Sequence, residues 1–217
     1  MLTLAISKGK AFDEELELLK KSGYEINFRE RELSYSVDNL VLWFLKPKDV
    51  PVWVEGGVVD LGMVGLDILR EGKYDVLELL DLKIGKCRFS FARPKNKPVP
   101  TSKVVIATKF PNLSKKYAEK YFSEFEIVEL HGSVEIAPKV GLSHIIADLV
   151  STGRTLHENN LEEMVVLEEF STYLIANRGS FVMKYDEIEK LVLKLLQAIG
   201  EKDNFLLRIM GISIDQL

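Results

Sequence analysis

The sequence predicts an α/β protein built as two lobes. Its 217 residues leave room for two compact units at about 150 residues or fewer per domain. Apolar strand-like runs alternate with helical periodicities along most of the chain, and chain character changes near residue 87, where a basic, proline-rich stretch begins. Leu2 to Ile6 reads as a short buried strand. Ala11 to Ser22, with Phe12, Leu16 and Leu19 at helical spacing, reads as an amphipathic helix ending before Gly23. Leu40 to Leu45 is a strand, and Lys48 to Glu55 is a short helix despite Pro51. Val58 to Met63 is a strand opening onto a Gly-rich turn, and Leu66 to Arg70 starts another helix. Arg88 to Ala92 and Val104 to Ala107 are strands flanking PKNKPVPTS, whose three prolines make it the candidate hairpin loop. Asn112 is placed to cap a helix through Tyr121, Phe125 to Leu130 and Ile145 to Val150 are strands, and Thr152 to Asn159 is a helix. Residues 164 to 176 read as a strand or strand pair, and Tyr185 to Ala198, with Ile188, Leu191, Val192 and Leu195 on one face, as a long terminal helix. Such alternation predicts parallel-rich sheets whose ligands bind at the carboxyl ends of strands, and two lobes of this kind put the site in the cleft between them.

Composition excludes several classes. With 29% charged and 47% hydrophobic residues, 14 Gly and 7 Pro, the chain is neither disordered nor low-complexity. Cys87 is the only cysteine, which excludes an intramolecular disulfide or a thiolate cluster and fits a reducing compartment. Lys8 and Lys10 interrupt the N-terminal apolar stretch too early for a signal-peptide core. No apolar run approaches the roughly 18 residues of a membrane span, so a cytosolic protein is expected.

The net charge of −4 hides an uneven distribution: residues 1–85 sum to −5, residues 86–120 to +9 and residues 121–217 to −8. The basic island reads either as a solvated lysine face or as a device that concentrates anions. A nucleic-acid partner is disfavoured, because the whole chain has a pI of about 5.6 and carries no RNA-binding or zinc-finger signature. A small phosphorylated ligand fits better.

In the segment Asp148-Leu149-Val150-Ser151-Thr152-Gly153-Arg154-Thr155-Leu156 an apolar strand runs through a turn of small hydroxylated residues into a helix. That pattern gathers backbone N–H groups, hydroxyls and the positive helix end at one point, as a phosphate cradle does. An ordinary helix N-cap on Ser151 or Thr152 accounts for the same spacing, and spacing alone does not choose between them. Asp148 at the strand end is positioned either to accept hydrogen bonds from vicinal sugar hydroxyls or to act as a plain cap.

The longer stretch HGSVEIAPKVGLSHIIADLVSTGRTLHENNL resembles the phosphoribosyl-pyrophosphate (PRPP) binding region of the ATP phosphoribosyltransferases, the first enzymes of histidine biosynthesis. LAISKGK, GVVDLGMVGLDIL and VVIATKFPN agree with the same family in order, so the resemblance covers nearly the whole chain. It implies a two-lobed fold like the type II periplasmic binding proteins. Residues 1–87 with 178–217 are expected to form the first, nucleotide-side lobe and 88–177 the second, PRPP-binding lobe. The chain ends near its last helix and so resembles the family's short form, which lacks a C-terminal regulatory domain.

Carried onto this sequence, the resemblance puts the 5-phosphate of PRPP on Ser151, Thr152, Gly153, Arg154 and Thr155, with Asp148 near the ribose and Glu135 beside the pocket. Lys8, Gly9 and Lys10 would meet the nucleotide or pyrophosphate from the other lobe, and their plain reading is a basic turn after a strand. Gly62, Gly65 and Asp67 match the family's Gly-rich turn, where a missing Cβ permits close ligand approach, and equally fit a tight strand-to-helix turn with Asp67 as a first-turn acid. Thr108 and Lys109 match the ATKFP block on the ATP side, and Arg29 and Arg31 fall where the family often carries an Arg. Lys8 and Asp148 are the residues assigned a catalytic part.

Ser7 stands where the family usually has Pro, Lys10 where it has Arg, and His144 where it often has Asp. Lysine lacks the planar fork that binds phosphate oxygens bidentately, so the nucleotide contact is expected to be looser. His131, His144 and His157 lack metal-ligand spacing, so no protein-bound metal is expected. The implied chemistry is displacement of pyrophosphate from the anomeric carbon of PRPP by N1 of ATP, with Mg2+ on the substrate oxygens and no general base. The implied partner is a regulatory subunit resembling histidyl-tRNA synthetase, with a homodimer formed by the chain alone and no nucleic-acid or membrane partner. A non-catalytic two-lobed binding protein for a phosphorylated metabolite is the competing class.

Overall fold

A computed structural model describes residues 1–27 and 32–201. They form two compact units: Met1–Leu69, Lys73–Gly85 and the chain from Ser171 in the first, Arg70–Gly72 and Lys86–Phe170 in the second.

The first unit opens with β1 (Leu2–Ser7), α1 (Phe12–Lys21), β2 (Ser34–Val37), β3 (Leu40–Leu45), α2 (Val50–Glu55), β4 (Leu61–Gly65), α3 (Leu66–Glu71) and β5 (Leu77–Asp81). β1 lies between β3 and β4 and pairs parallel with both, Leu4 facing Leu42 on one side and Leu61 on the other. A strand covered on both faces is largely apolar, and Leu2 to Ile6 carries only Thr3 as a polar residue, half-buried and bonded to Asp60. Leu16 and Leu19 of α1 pack onto Leu4, Ile6, Leu42 and Met63 in one core. On the other face α2 comes so close that a Cβ on Gly62 would lie 2.6 Å from Val50 Cγ1, so Gly62 serves helix packing.

The second unit holds β6 (Cys87–Pro94), β7 (Lys103–Thr108), α4 (Pro111–Tyr121), β8 (Glu124–Glu129), a 3-10 turn at Val134–Ile136, β9 (Ile145–Val150), α5 (Arg154–Glu158) and β10 (Leu161–Phe170). Their order in the sheet is β10-β6-β9-β7-β8. β9 therefore sits between β6 and β7, antiparallel to the first and parallel to the second. The segment PKNKPVPTS is thus a crossover connection and not the expected hairpin loop: β6 finds its partners non-locally, and turn residues alone cannot reveal that. The capping expected of Asn112 is also corrected. Glu71 accepts hydrogen bonds from the Asn112 and Leu113 backbone N–H groups at 3.0 and 2.9 Å and caps α4 with a carboxylate from outside the helix.

The chain then returns to the first unit with β11 (Thr172–Ala176), α6 (Arg178–Met183) and α7 (Tyr185–Ile199). β11 pairs antiparallel with β4 and β5, completing the order β2-β3-β1-β4-β11-β5. Residues 171–177 therefore pack in the first unit, whereas the sequence reading set the return at 178. β10 and β11 are separated in sequence by Ser171 alone, and their pairing in different sheets divides them between the units. Ile188, Leu191, Val192 and Leu195 of α7 join the α1 side of the core, as their spacing predicts.

Buried Asp60, just before β4, ties this unit together. Its carboxylate accepts from Thr3 N and Oγ1, from Ser180 Oγ and from Lys184 Nζ, the last at 2.8 Å to each oxygen. Burial works against its ionisation, but the bonds from Lys184, Ser180 and Thr3 outweigh it and hold the pKa below the usual carboxylate value. Asp60→Asn is expected to cost about 2 kcal/mol in urea unfolding at neutral pH. The parent's advantage disappears as pH falls through the depressed native pKa, so the two proteins should converge in acid.

Candidate active site

In both units the candidate residues leave the sheet at the carboxyl ends of parallel strands. In the second unit β7 and β9 end side by side, Thr108 facing Ala147. Asp148 is buried at the end of β9, and its Oδ1 accepts from Leu149 N at 2.8 Å and lies 3.3 Å from Lys109 Nζ. Burial pushes the Asp148 carboxyl pKa up, the Lys109 ammonium and the Leu149 amide pull it down, and the charge of Glu135 raises it further. Glu135 belongs to the 3-10 turn that contacts β9. Asp148, Lys109 and Glu135 thus form one electrostatic group.

The turn after β9 differs from an ordinary N-cap. The cap residue of α5 is Gly153, at φ +77°, with no side chain to serve the helix. Thr152 Oγ1 reaches only Arg154 N, at 3.4 Å. Ser151, Thr152, Arg154 and Thr155 are exposed. The Arg154 guanidinium lies along α5 on Glu158, 2.7 Å from Nε to Oε1. A left-handed residue of this kind is what an anion-binding nest uses to turn successive amides toward one point.

Thr108 is positioned differently from its expected ligand-facing role. It is fully buried; its hydroxyl donates to Ala147 O at 2.7 Å and accepts from Phe110 N at 2.9 Å, and Ser114 Oγ lies 3.0 Å away. It fastens β7 to β9 and positions Lys109.

In the first unit the Lys8–Lys10 turn follows β1 and the Gly65–Asp67 turn follows β4 on the same edge of the sheet. Lys8 N donates to Leu45 O at 2.7 Å, and its Nζ lies 3.2 Å from Glu32 O and 5.4 Å from the centre of the Phe44 ring. A Cβ on Gly9 would stand 2.8 Å from Pro47 Cγ, and one on Gly65 only 2.2 Å from Asp67 Oδ1. A side chain at position 65 would displace the Asp67 carboxylate that is folded back over the glycine. Burial raises the Asp67 pKa against hydrogen bonds from its own N–H and that of Ile68, and the charge of Lys10 pulls it down. Ser7 is buried, and its N–H and hydroxyl both donate to Glu15, at 3.0 and 2.9 Å. A proline at position 7 would remove the first of these donors. Arg29 and Arg31 lie outside the described residues, as do Phe205, Leu206, Leu207, Ile209 and Met210, which the sequence offers either for a partner contact or for packing onto the first lobe.

The basic island largely dissolves in three dimensions. Arg88 pairs with Glu163, Arg93 with Glu162, Lys103 with Glu126, Lys109 with Asp148 and Lys116 with Glu168. Counted over the second unit, 13 basic and 12 acidic residues leave a net charge of +1. His144 is part of the scaffold: its Nδ1 accepts from Val105 N at 2.9 Å, and its own N–H donates to Val105 O at 2.8 Å. Among the described residues no group of three or more His, Cys, Asp or Glu side chains is arranged to hold a metal ion. Sequence reasoning missed Arg88, Ser90 and Glu163, which only strand pairing brings beside Asp148 and the turn after β9.

The model of the HisG family, described as ATP phosphoribosyltransferase, matches residues 46–197. An ATP phosphoribosyltransferase from Geobacillus sp. (strain WCH70) is 42% identical over 206 residues, covering 93% of this chain and all of the relative. Among solved structures, the ATP phosphoribosyl transferase (HisG:HisZ) complex from Thermotoga maritima aligns with a TM-score of 0.80 at 36% identity, over 92% of this chain and 99% of that one. The periplasmic aliphatic sulphonate binding protein SsuA from Escherichia coli aligns with a TM-score of 0.60 at 12% identity, over 98% of this chain and 79% of that one, a likeness of fold alone.

Proposed function

This chain belongs to the ATP phosphoribosyltransferase family, and from that membership we infer that it transfers the phosphoribosyl group of PRPP to N1 of ATP, releasing pyrophosphate in the first step of histidine biosynthesis. The structural observation that carries this reading is the left-handed Gly153 turn beside buried, lysine-paired Asp148 at the end of β9. A solute-binding protein shares the fold, but sequence identity sustained over nearly the full chain favours the transferase.

In this reading Ser151, Thr152, Gly153, Arg154 and Thr155 hold the 5-phosphate through backbone amides and hydroxyls, and Asp148 accepts from the ribose hydroxyls. Binding a sugar diol asks Asp148 to be an acceptor, which Lys109 supports by favouring its ionised form. Lys8, Gly9, Lys10, Gly65 and Asp67 form the nucleotide side, where exposed Lys8 and Lys10 supply countercharge for phosphates. Thr108 is assigned a supporting part through Lys109, and Lys109 faces substrate phosphate. Adenine N1 carries its own lone pair, so no group has to remove a proton; the residues align the nucleophile behind the breaking bond and stabilise charge on the departing pyrophosphate. Asp148 and Glu135, whose charges repel, fit a site that receives a Mg2+-bearing substrate, and Mg2+ arriving with PRPP would supply further countercharge to the leaving group. Both substrates are intracellular metabolites, which supports a cytoplasmic setting. Incubating the protein with ATP, PRPP and Mg2+ should yield phosphoribosyl-ATP and pyrophosphate in equal amounts; hydrolysis of PRPP without a nucleoside product would refute the assignment.

The Thermotoga maritima neighbour is a HisG:HisZ complex, and we assign this chain a regulatory partner of that type and a homodimeric state when alone. Histidine should then inhibit the chain weakly by itself and strongly once the partner is added. Kinetics with and without the partner check this, and strong inhibition of the isolated chain would place an effector site within it.

A further inference from the structure

We propose that Arg88, held by Glu163, is a further PRPP-binding residue that supplies the charge beneath the 5-phosphate turn. This rests on the reading that residues 151–155 receive that phosphate. Arg88 on β6 pairs across the sheet with Val150, the last residue of β9, and Ser90 pairs with Asp148. Residues two apart on a strand share a face, so Arg88, Ser90, Asp148 and Val150 line one side of the sheet. The guanidinium reaches the turn itself: Nη1 donates to Ser151 O at 3.0 Å, and Nη2 would lie 3.9 Å from a Cβ on Gly153. Its Nε is shared between both Glu163 oxygens, at 2.9 and 3.1 Å. Nε is thus occupied by Glu163 and Nη1 by the turn carbonyl, which leaves Nη2 as the donor nearest Gly153.

A second observation points to a ligand on this face. Ser90 Oγ is buried with no hydrogen-bond partner, across the strand pair from Asp148. A polar atom left unpaired at such a depth is costly, and a sugar phosphate or its water extending past Asp148 would satisfy it. Arg88 is suited to the task because a planar guanidinium can brace a carbonyl, engage a carboxylate and still offer a donor to a phosphate oxygen. Glu163 fixes its orientation and neutralises it until an anion arrives.

The test is calorimetric titration of the full chain with ribose 5-phosphate and, separately, with Mg2+-pyrophosphate. Arg88→Met should weaken ribose 5-phosphate binding about tenfold, the effect of one lost charge-assisted hydrogen bond, and leave pyrophosphate binding within about twofold. Arg88→Lys should recover part of the loss. Glu163→Gln, which removes the competing charge, should bind ribose 5-phosphate as tightly as the parent or more tightly. Equal loss for both ligands in Arg88→Met, parental ribose 5-phosphate affinity in it, or weakened binding in Glu163→Gln would each overturn the proposal. Gly153→Val separates the two readings. Loss there with none in Arg88→Met refutes Arg88 alone, whereas parental affinity in a folded Gly153→Val protein refutes the turn assignment beneath it.

Discussion

Gly153→Val is expected to weaken PRPP binding at least about tenfold in a protein that still folds. The residue sits at φ +77°, where a β-branched side chain carries a penalty on the order of 1–3 kcal/mol. Space is not the obstacle, because a Cβ would meet only Arg88 Nη2 and Val150 Cγ1, each at 3.9 Å. The backbone would instead leave the left-handed region, and the amides entering α5 would no longer converge on one phosphate. The neighbouring residues Ser151, Thr152, Arg154 and Thr155 are exposed, so the core should tolerate the change. Calorimetric titration with PRPP reads the loss directly, and thermal unfolding confirms that the variant is native. Thr155→Ala should shift affinity in the same direction by about 1 kcal/mol, one charge-assisted hydrogen bond.

Glu15→Gln is expected to stabilise the protein in alkali while changing little in acid. Glu15 lies fully buried in α1, and burial pushes its carboxyl pKa up to about 8 despite hydrogen bonds from the Ser7 side chain and backbone, with the charge of Glu14 raising it further. The native state holds a proton that the unfolded chain releases near 4.5. The stabilisation is fully present below that value and is lost as pH rises through about 8, since the unfolded state binds fewer protons across the window. At about 1.4 kcal/mol per pKa unit the loss is on the order of 4 kcal/mol, roughly 10 °C in Tm for a chain of this size. Glutamine can accept from Ser7 N–H and donate to Ser7 Oγ, so it keeps both contacts without a titrating proton. Stability of parent and variant measured at pH 5 and pH 9 should diverge at the upper value; parallel curves would mean that Glu15 does not carry a buried proton.

The elements with strong local signals were legible in the sequence. β1 follows from its apolar run and α1, β3 and α7 from apolar periodicity, because all four pack into one continuous core. β2, SYSV, and β5, LELLD, escaped notice: neither buries a full face, and each is fixed by its partner strand. The PKNKPVPTS segment misled because proline and polar residues mark a connection without saying which strand comes next in space. The site divides the same way. Asp148 and the Ser151–Thr155 turn are contiguous and could be read as a block. Arg88 and Ser90 lie 60 and 58 residues before Asp148 and Glu163 lies 15 residues after it, joined only by the pairing of β6 with β9 and β10. The positive sum over residues 86–120 was an arithmetic fact with a non-local answer, since Glu162, Glu163 and Glu168 of β10 neutralise three of those cations.

The most direct test of the account is a crystal structure of the protein with PRPP and Mg2+ bound. The account predicts the 5-phosphate within hydrogen-bond distance of the backbone amides at Gly153, Arg154 and Thr155, with the ribose hydroxyls on Asp148. A 5-phosphate bound on the Lys8–Lys10 turn, or anywhere away from the turn after β9, would contradict it.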